Sequence, residues 1–238
     1  MFLSANVKDI FYKPHHCSIY YSEFYFRMDT DQLPDHIVYS VPVIEFVTVA
    51  AETCLFLERA SDSTRTDFVQ KIVKILPLLY LKASMLEIPA PVYEDVPERF
   101  VTEDDYLFIK EQVEQLLGPD DSYLETFHPD MAISDTPIAA FVSENLADIY
   151  QELKDFAANY QLADIDIMND ALIVCLEAFG EHWGQKLLNA LRALHAIRFS
   201  EGFGQDTEEE EAESGTRLNR NAFLNFLHDE DEGLNQLL

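Results

Sequence analysis

Residues 136–160 read TPIAAFVSENLADIYQELKDFAANY, and their spacing decides the fold. The apolar positions Ile138, Val142, Leu146, Ile149, Leu153, Phe156 and Tyr160 step by 4, 4, 3, 4, 3 and 4 residues. That is one stripe of an α-helix of about six turns, because side chains three and four apart stack on one helical face. Thr136-Pro137 supplies a start, since proline is tolerated in a first turn whose N–H groups have no helical partner. Glu144, Asp148, Glu152 and Asp155 fall outside the stripe and are expected to face solvent.

The same period extends in both directions. From Ser40 and Pro42 to about Ala60, the positions Ile44, Val47, Ala51, Cys54 and Leu55 form a face that Phe46, Val49, Phe56 and Leu57 widen. Glu45, Glu52 and Arg59 are left as a narrow polar stripe, so this helix is expected at the centre of the fold. Thr64 with Asp67 opens a second helix carrying Phe68, Ile72, Leu76 and Tyr80. Pro77 is expected to kink or split it. Residues 87–101 hold three prolines and read as an extended crossing. Thr102 with Asp105 caps a third helix whose first turn is acidic, and Gly118-Pro119 ends it. Residues 120–135 read as irregular. Residues 171–179, ALIVCLEAF, make an apolar helix, and Gly180 marks a break. Trp183, Leu187, Ala190, Leu191 and Leu194 then face the core from a last helix. No strand alternation and no solenoid repeat is visible. The expected fold is all-α: a single bundle of about six to seven helices over residues 38–200.

Composition bounds the partners. The chain has 238 residues, 48% of them hydrophobic, with 44 Asp+Glu against 16 Lys+Arg and a formal charge of −28. Such a field repels phosphate backbones and anionic membranes, so neither nucleic acid nor membrane is an expected partner. Cys17, Cys54 and Cys175 have no framework spacing, and Cys54 and Cys175, among apolar neighbours, read as reduced core thiols of a reducing, cytoplasmic compartment. Residues 1–37 form an N-terminal arm whose first 27 residues hold eight aromatics and a charge of +1. Residues 1–27 read either as a spurious extension ahead of a natural start at Met28 or as a real aromatic arm packed on the domain; a native intact mass that includes them would remove the first reading. Residues 201–216 are acidic and expected to be a disordered linker. Residues 217–238 regain Leu218, Phe223, Leu224, Phe226 and Leu227 and read as a short apolar motif, either docking on another protein or forming a flap on its own domain.

Three stretches, FVTVAAE at residues 46–52, ILPLLYLKA at 75–83 and EHWGQKLLNALRALH at 181–195, carry a family resemblance. Together they resemble an uncharacterised bacterial family recorded only as a domain of unknown function, over about residues 38–199. The resemblance implies an all-helical cytoplasmic domain and brings no activity and no catalytic residue.

Candidate sites follow from the scarce cations. Arg192 and His195 are three apart on one helical face, His182 lies upstream beside Trp183, and Glu45 and Glu52 lie on the first helix. The structural expectation is a buried ion pair of Arg192 with Glu52 or Glu45. The functional one is a ligand pocket of Glu52, His182, Arg192 and His195. Asp164, Asp166, Asn169 and Asp170 resemble a calcium loop only superficially, since the required Gly and terminal acid are missing, and they read as helix caps. Glu177, Glu181 and His182 have helical spacing but no facing acidic pair, so no metal is expected. No GxSxG or phosphate loop is present, and no cofactor is expected. The leading expectation is a non-enzymatic adaptor for a basic protein, such as an RNA-processing enzyme or ribosomal component. The alternative is a small helical ligand-binding domain or metal-dependent enzyme with a pocket near the Glu181–His195 helix.

Overall fold

A computed structural model describes residues 34–93, 96–125, 138–201 and 203–204. Contacts divide the chain into Met1–Ser200 and Glu201–Leu238, and the architecture below is that of the first unit. The expectations for residues 1–33, for the acidic linker beyond residue 204 and for residues 217–238 lie outside the described residues.

The order is α1 (Val41–Glu58), α2 (Arg65–Ser84), α3 (Glu103–Leu117), β1 (Ser122–Leu124), β2 (Ala139–Phe141), α4 (Val142–Gln161), α5 (Ile165–Ala178) and α6 (Gly184–Arg198). The class is all-α, as the periodicity predicts. Local chemistry sets several ends. Thr102 and Asp105 form a reciprocal capping box, with the Thr102 hydroxyl accepting from the Asp105 N–H and the Asp105 carboxylate accepting from the Thr102 N–H. Gly118 ends α3 at φ +55°, a region where a Cβ is disfavoured.

The centre of the bundle is α4, not α1. α4 packs against α1, α3, α5 and α6, and none of its residues from Val142 to Tyr160 is fully exposed. The expected outer acids therefore sit at helix junctions: Asp148 and Glu152 are half-buried and Asp155 is buried. On α1 the buried residues are Val43, Phe46, Ala50, Ala51, Thr53, Cys54 and Leu57, so Ala51 and Cys54 of the expected face are buried while its Ile44, Val47 and Leu55 are half-buried. Phe46 stacks on Phe156 of α4, ring centroids 5.4 Å apart. Burying one such ring contributes roughly 1.5–3 kcal/mol.

Two further expectations are corrected. The helix starts at Val142, because Ala139–Phe141 is extended and pairs antiparallel with Ser122–Leu124; the expected start at Thr136-Pro137 lies outside the described residues. Strands of three residues are too short to show alternation. The start of α4 is fixed instead by Asp121, buried, whose carboxylate accepts from the Ser143 N–H and hydroxyl, each at 2.7 Å. α2 also runs through Pro77 as one helix, so of the expected kink or split the split is not formed.

Between α5 and α6 the chain makes one π-helical turn, Phe179–Trp183, where a break at Gly180 was expected. The wider turn swings Trp183 fully into the core, where its indole N–H donates to the Cys175 carbonyl at 2.9 Å.

Candidate functional site

The residues of the expected pocket do not converge as a set. Glu52 is exposed on α1 and His182 is exposed in the π turn. Glu45 accepts from Lys82 at 2.6 Å. Arg192 is exposed on α6, so the expected buried pair with Glu52 or Glu45 is not formed. α6 packs on α2 and α4, and Arg192 lines a groove between α2 and α6.

Arg192 and His195 do share a site with each other. They line an open groove of about 580 Å³ between α2 and α6. Val73, Lys74 and Pro77 form one wall; Leu188, Leu191, Arg198 and Phe199 complete the other. His195 lies on Phe199 with ring centroids 4.6 Å apart. Arg198 donates to the Gln70 carbonyl at 3.1 Å and stands 5.5 Å over the Phe199 ring, which fixes its direction. Among the described residues, Lys71 pairs with Asp67, Lys110 with Glu144, Lys154 with Glu58, Arg65 with Asp120 and Lys186 with Asp148. Lys74, Arg192 and Arg198 thus line one apolar trough.

A second surface lies on α3. Leu107 is 39% and Phe108 54% exposed. They are flanked along the helix by the exposed acids Glu103, Asp104, Glu111 and Glu114. The helix's own cation, Lys110, is held by Glu144 at 3.1 Å. The outer face of α3 is thus an apolar centre with an acidic rim.

The polar side chains that sequence reasoning missed hold the extended crossing. Asp170 accepts from the N–H groups of Val92 and Tyr93 at 2.9 and 2.7 Å, while Asn169 donates to the Ala90 carbonyl. Asp155 accepts from the N–H groups of Phe100 and Val101, and Asn159 donates to the Glu98 carbonyl. Each Asp–Asn pair reads one donor and one acceptor side of an extended backbone, which otherwise would be unsatisfied on the helices. Of the expected calcium-like run, only Asp164 caps α5. Asn169 and Asp170 lie past the first turn of an otherwise apolar helix, and that depth was the available signal. Burial pushes the Asp170 carboxyl up, but the two backbone donors and the Asn169 amide outweigh it and hold the group below its ordinary range. Beside the crossing, burial raises Glu152, partly offset by Arg99 at 3.8 Å.

Neither thiol offers a nucleophile. Cys54 and Cys175 are buried and unbonded to each other, and desolvation pushes both well above the ordinary range. Among the described residues no group of three or more His, Cys, Asp and Glu side chains could hold a metal ion, and Glu177, Glu181 and His182 form no such group. Among them, too, no helix is long and apolar enough to cross a membrane.

Comparison with known proteins supplies a family and a fold. A family model described as a domain of unknown function (DUF5063) matches residues 38–200. A crystal structure of protein BF1032 from Bacteroides fragilis is similar at 46% identity and a TM-score of 0.63, over 69% of this chain and 97% of that one. No curated protein matches the sequence.

Proposed function

The chain belongs to this family of unknown function, and from the chemistry of its surface we propose a non-enzymatic interaction module for a basic protein partner. One observation carries the proposal: on α3, two exposed apolar side chains, Leu107 and Phe108, sit inside a rim of Glu103, Asp104, Glu111 and Glu114. An aromatic anchor within a charged rim is the usual anatomy of a protein–protein hot spot. The net charge of −28 would steer a basic partner toward it and repel nucleic acid. Cytoplasmic residence is part of the same proposal, supported by the buried free thiols Cys54 and Cys175. From its sequence, the apolar motif at residues 217–238 is assigned a second docking role.

The alternative is a small-ligand pocket near the Glu181–His195 helix. Arg192 and His195 favour it by sharing a groove. The groove is open along its length, whereas small-molecule sites enclose most of their ligand.

The test is affinity purification with cross-linking at two salt concentrations, comparing the natural chain with a Phe108→Ser, Glu111→Lys, Glu114→Lys variant. A basic partner should be recovered at 0.05 M salt, reduced at 0.5 M, and lost with the variant while the urea midpoint stays unchanged. Recovery of the same partner by the variant, or recovery indifferent to salt, refutes the α3 surface. Unchanged recovery after deletion of residues 202–238 discards the tail's docking role.

A further inference from the structure

Where the crossing meets α4 and α5, a small cavity of about 20 Å³ is lined by Arg99, Glu152, Asp155 and Val174 among others. Asp155 is 9% exposed and uses its two oxygens unequally. Oδ1 accepts from the N–H groups of Phe100 and Val101 at 2.7 and 2.9 Å. Oδ2 is buried and has no hydrogen-bond partner in the protein. A carboxylate oxygen taken out of water without a partner is costly, and buried polar atoms are in large majority satisfied by protein groups or by ordered water. Glu152, one helical turn back along α4, lines the same cavity. Its Oε1 stands 3.8 Å from Arg99 Nη1, an ion-pair distance beyond direct hydrogen bonding. A polar contact of that length is commonly completed by a bridging water.

Size and chemistry select the occupant. One water needs about 10–15 Å³ of such space and two to four polar partners. The volume therefore admits one water and no organic ligand. A metal ion needs a fuller shell of oxygens than two carboxylates offer, and no group of three or more Asp, Glu, His or Cys among the described residues is placed to hold one. We propose that this cavity is a binding site for one ordered water, which donates to Asp155 Oδ2 and to the Glu152 carboxylate and accepts from Arg99. Both of its protons and one lone pair are then used, and the bare oxygen of Asp155 gains its donor. The water is also a positioning group. With Oδ2 held, Oδ1 stays turned to the Phe100 and Val101 N–H groups, and Arg99 is drawn onto α4. The crossing is thus fastened to α4 by direct hydrogen bonds and by a wet bridge beside them. The site is separate from the α3 surface and does not rest on it.

The experiment is oxygen-17 magnetic relaxation dispersion of water on the full chain, which counts internal waters by their slow exchange, together with a crystal structure of the same chain. Val174→Ile adds one methylene group to the cavity lining. In that variant the dispersion amplitude should fall by one water. Its melting temperature should drop by about 2–6 °C although apolar surface is gained, because Asp155 Oδ2 loses its donor. The crystal structure should place an oxygen about 2.6–3.0 Å from Asp155 Oδ2. An unchanged amplitude with a raised melting temperature is the behaviour of a dry cavity and overturns the site. So does a crystal structure of the natural chain with no atom within about 3.5 Å of Oδ2, a result that holds even if Val174→Ile fails to fold. An occupant ringed by a full shell of oxygens, with a melting temperature higher in KCl or NaCl than in choline chloride at equal ionic strength, makes a cation the ligand and refutes the water. None of these readouts involves a protein partner, so failure of the α3 surface leaves them unaffected.

Discussion

Replacing Asp170 by Ala removes the acceptor for two backbone N–H groups, Val92 and Tyr93, and for the Asn169 amide. Hydrogen bonds to a charged acceptor contribute roughly 1.5–3 kcal/mol each, and an orphaned buried donor costs about 1–3 kcal/mol. Val92 and Tyr93 are about half exposed, 49% and 52%, so their N–H groups recover some water when released. That places the loss near the lower end for the pair, about 3 kcal/mol. With a urea slope of about 2 kcal/mol/M, the midpoint followed by circular dichroism should fall by about 1.5 M. Asp170→Asn keeps the shape but turns a donor toward one N–H, and should cost about 2 kcal/mol. Chymotrypsin should cut the crossing at Tyr93 or Phe100 faster in both variants. The pH dependence has a definite sign. The folded group titrates below its ordinary 3.8, so the advantage over Asp170→Asn is present above that pH and disappears as the pH falls through the folded value. A loss under about 0.5 kcal/mol, with the crossing still protected, would refute the account of residues 87–101 as a backbone clamped by helix side chains.

Three further perturbations test other parts of the body. Gly184→Ala should destabilise by about 1–3 kcal/mol in thermal melts, because the added Cβ meets the Phe179 carbonyl across the π turn and the Phe179 ring at 2.9 Å. Gly180→Ala, with nothing within 4 Å of its Cβ, should be neutral or slightly stabilising; equal costs at both sites would refute the steric account. Thr102→Ala should cost about 1 kcal/mol through the capping box, and a neutral result by urea titration would show the box to be replaceable by water. At pH 8, Cys54 and Cys175 should resist iodoacetamide in the folded chain and label only on unfolding, as read by peptide mapping; rapid native labelling of either would contradict their raised pKa and burial.

Much of the fold was legible because helical periodicity is local. The stripe from Val142 to Tyr160, the Thr102–Asp105 cap and the Gly118 stop each depend on residues within a turn or two of one another. The place of each helix was not legible. α1 is the more continuously apolar in sequence, yet α4 is central, because its polar groups find partners at the junctions rather than bulk water: Asp148 pairs with Lys186, Asp155 accepts from the crossing's N–H groups, and Lys154 pairs with Glu58 of α1. Apolar content measures what a helix can bury; packing partners decide what it does bury. The ribbon of Ser122–Leu124 with Ala139–Phe141 was silent for the same reason, since three-residue strands are defined by pairing and not by pattern.

By itself, the sequence determined the class, the approximate helices, the overall negative field and the absence of familiar catalytic signatures, all of them local or additive properties of the chain. Only the tertiary structure decided which scarce charges meet. It separated Glu52 and His182 from Arg192 and His195, brought Lys74 from α2 to the latter pair, and turned Asp155, Asn159, Asn169 and Asp170 inward onto one crossing segment. The physical reason is that a helix period fixes a residue's direction about its own axis, while the identity of its neighbour depends on how whole helices pack, a sum of contacts between residues distant in sequence.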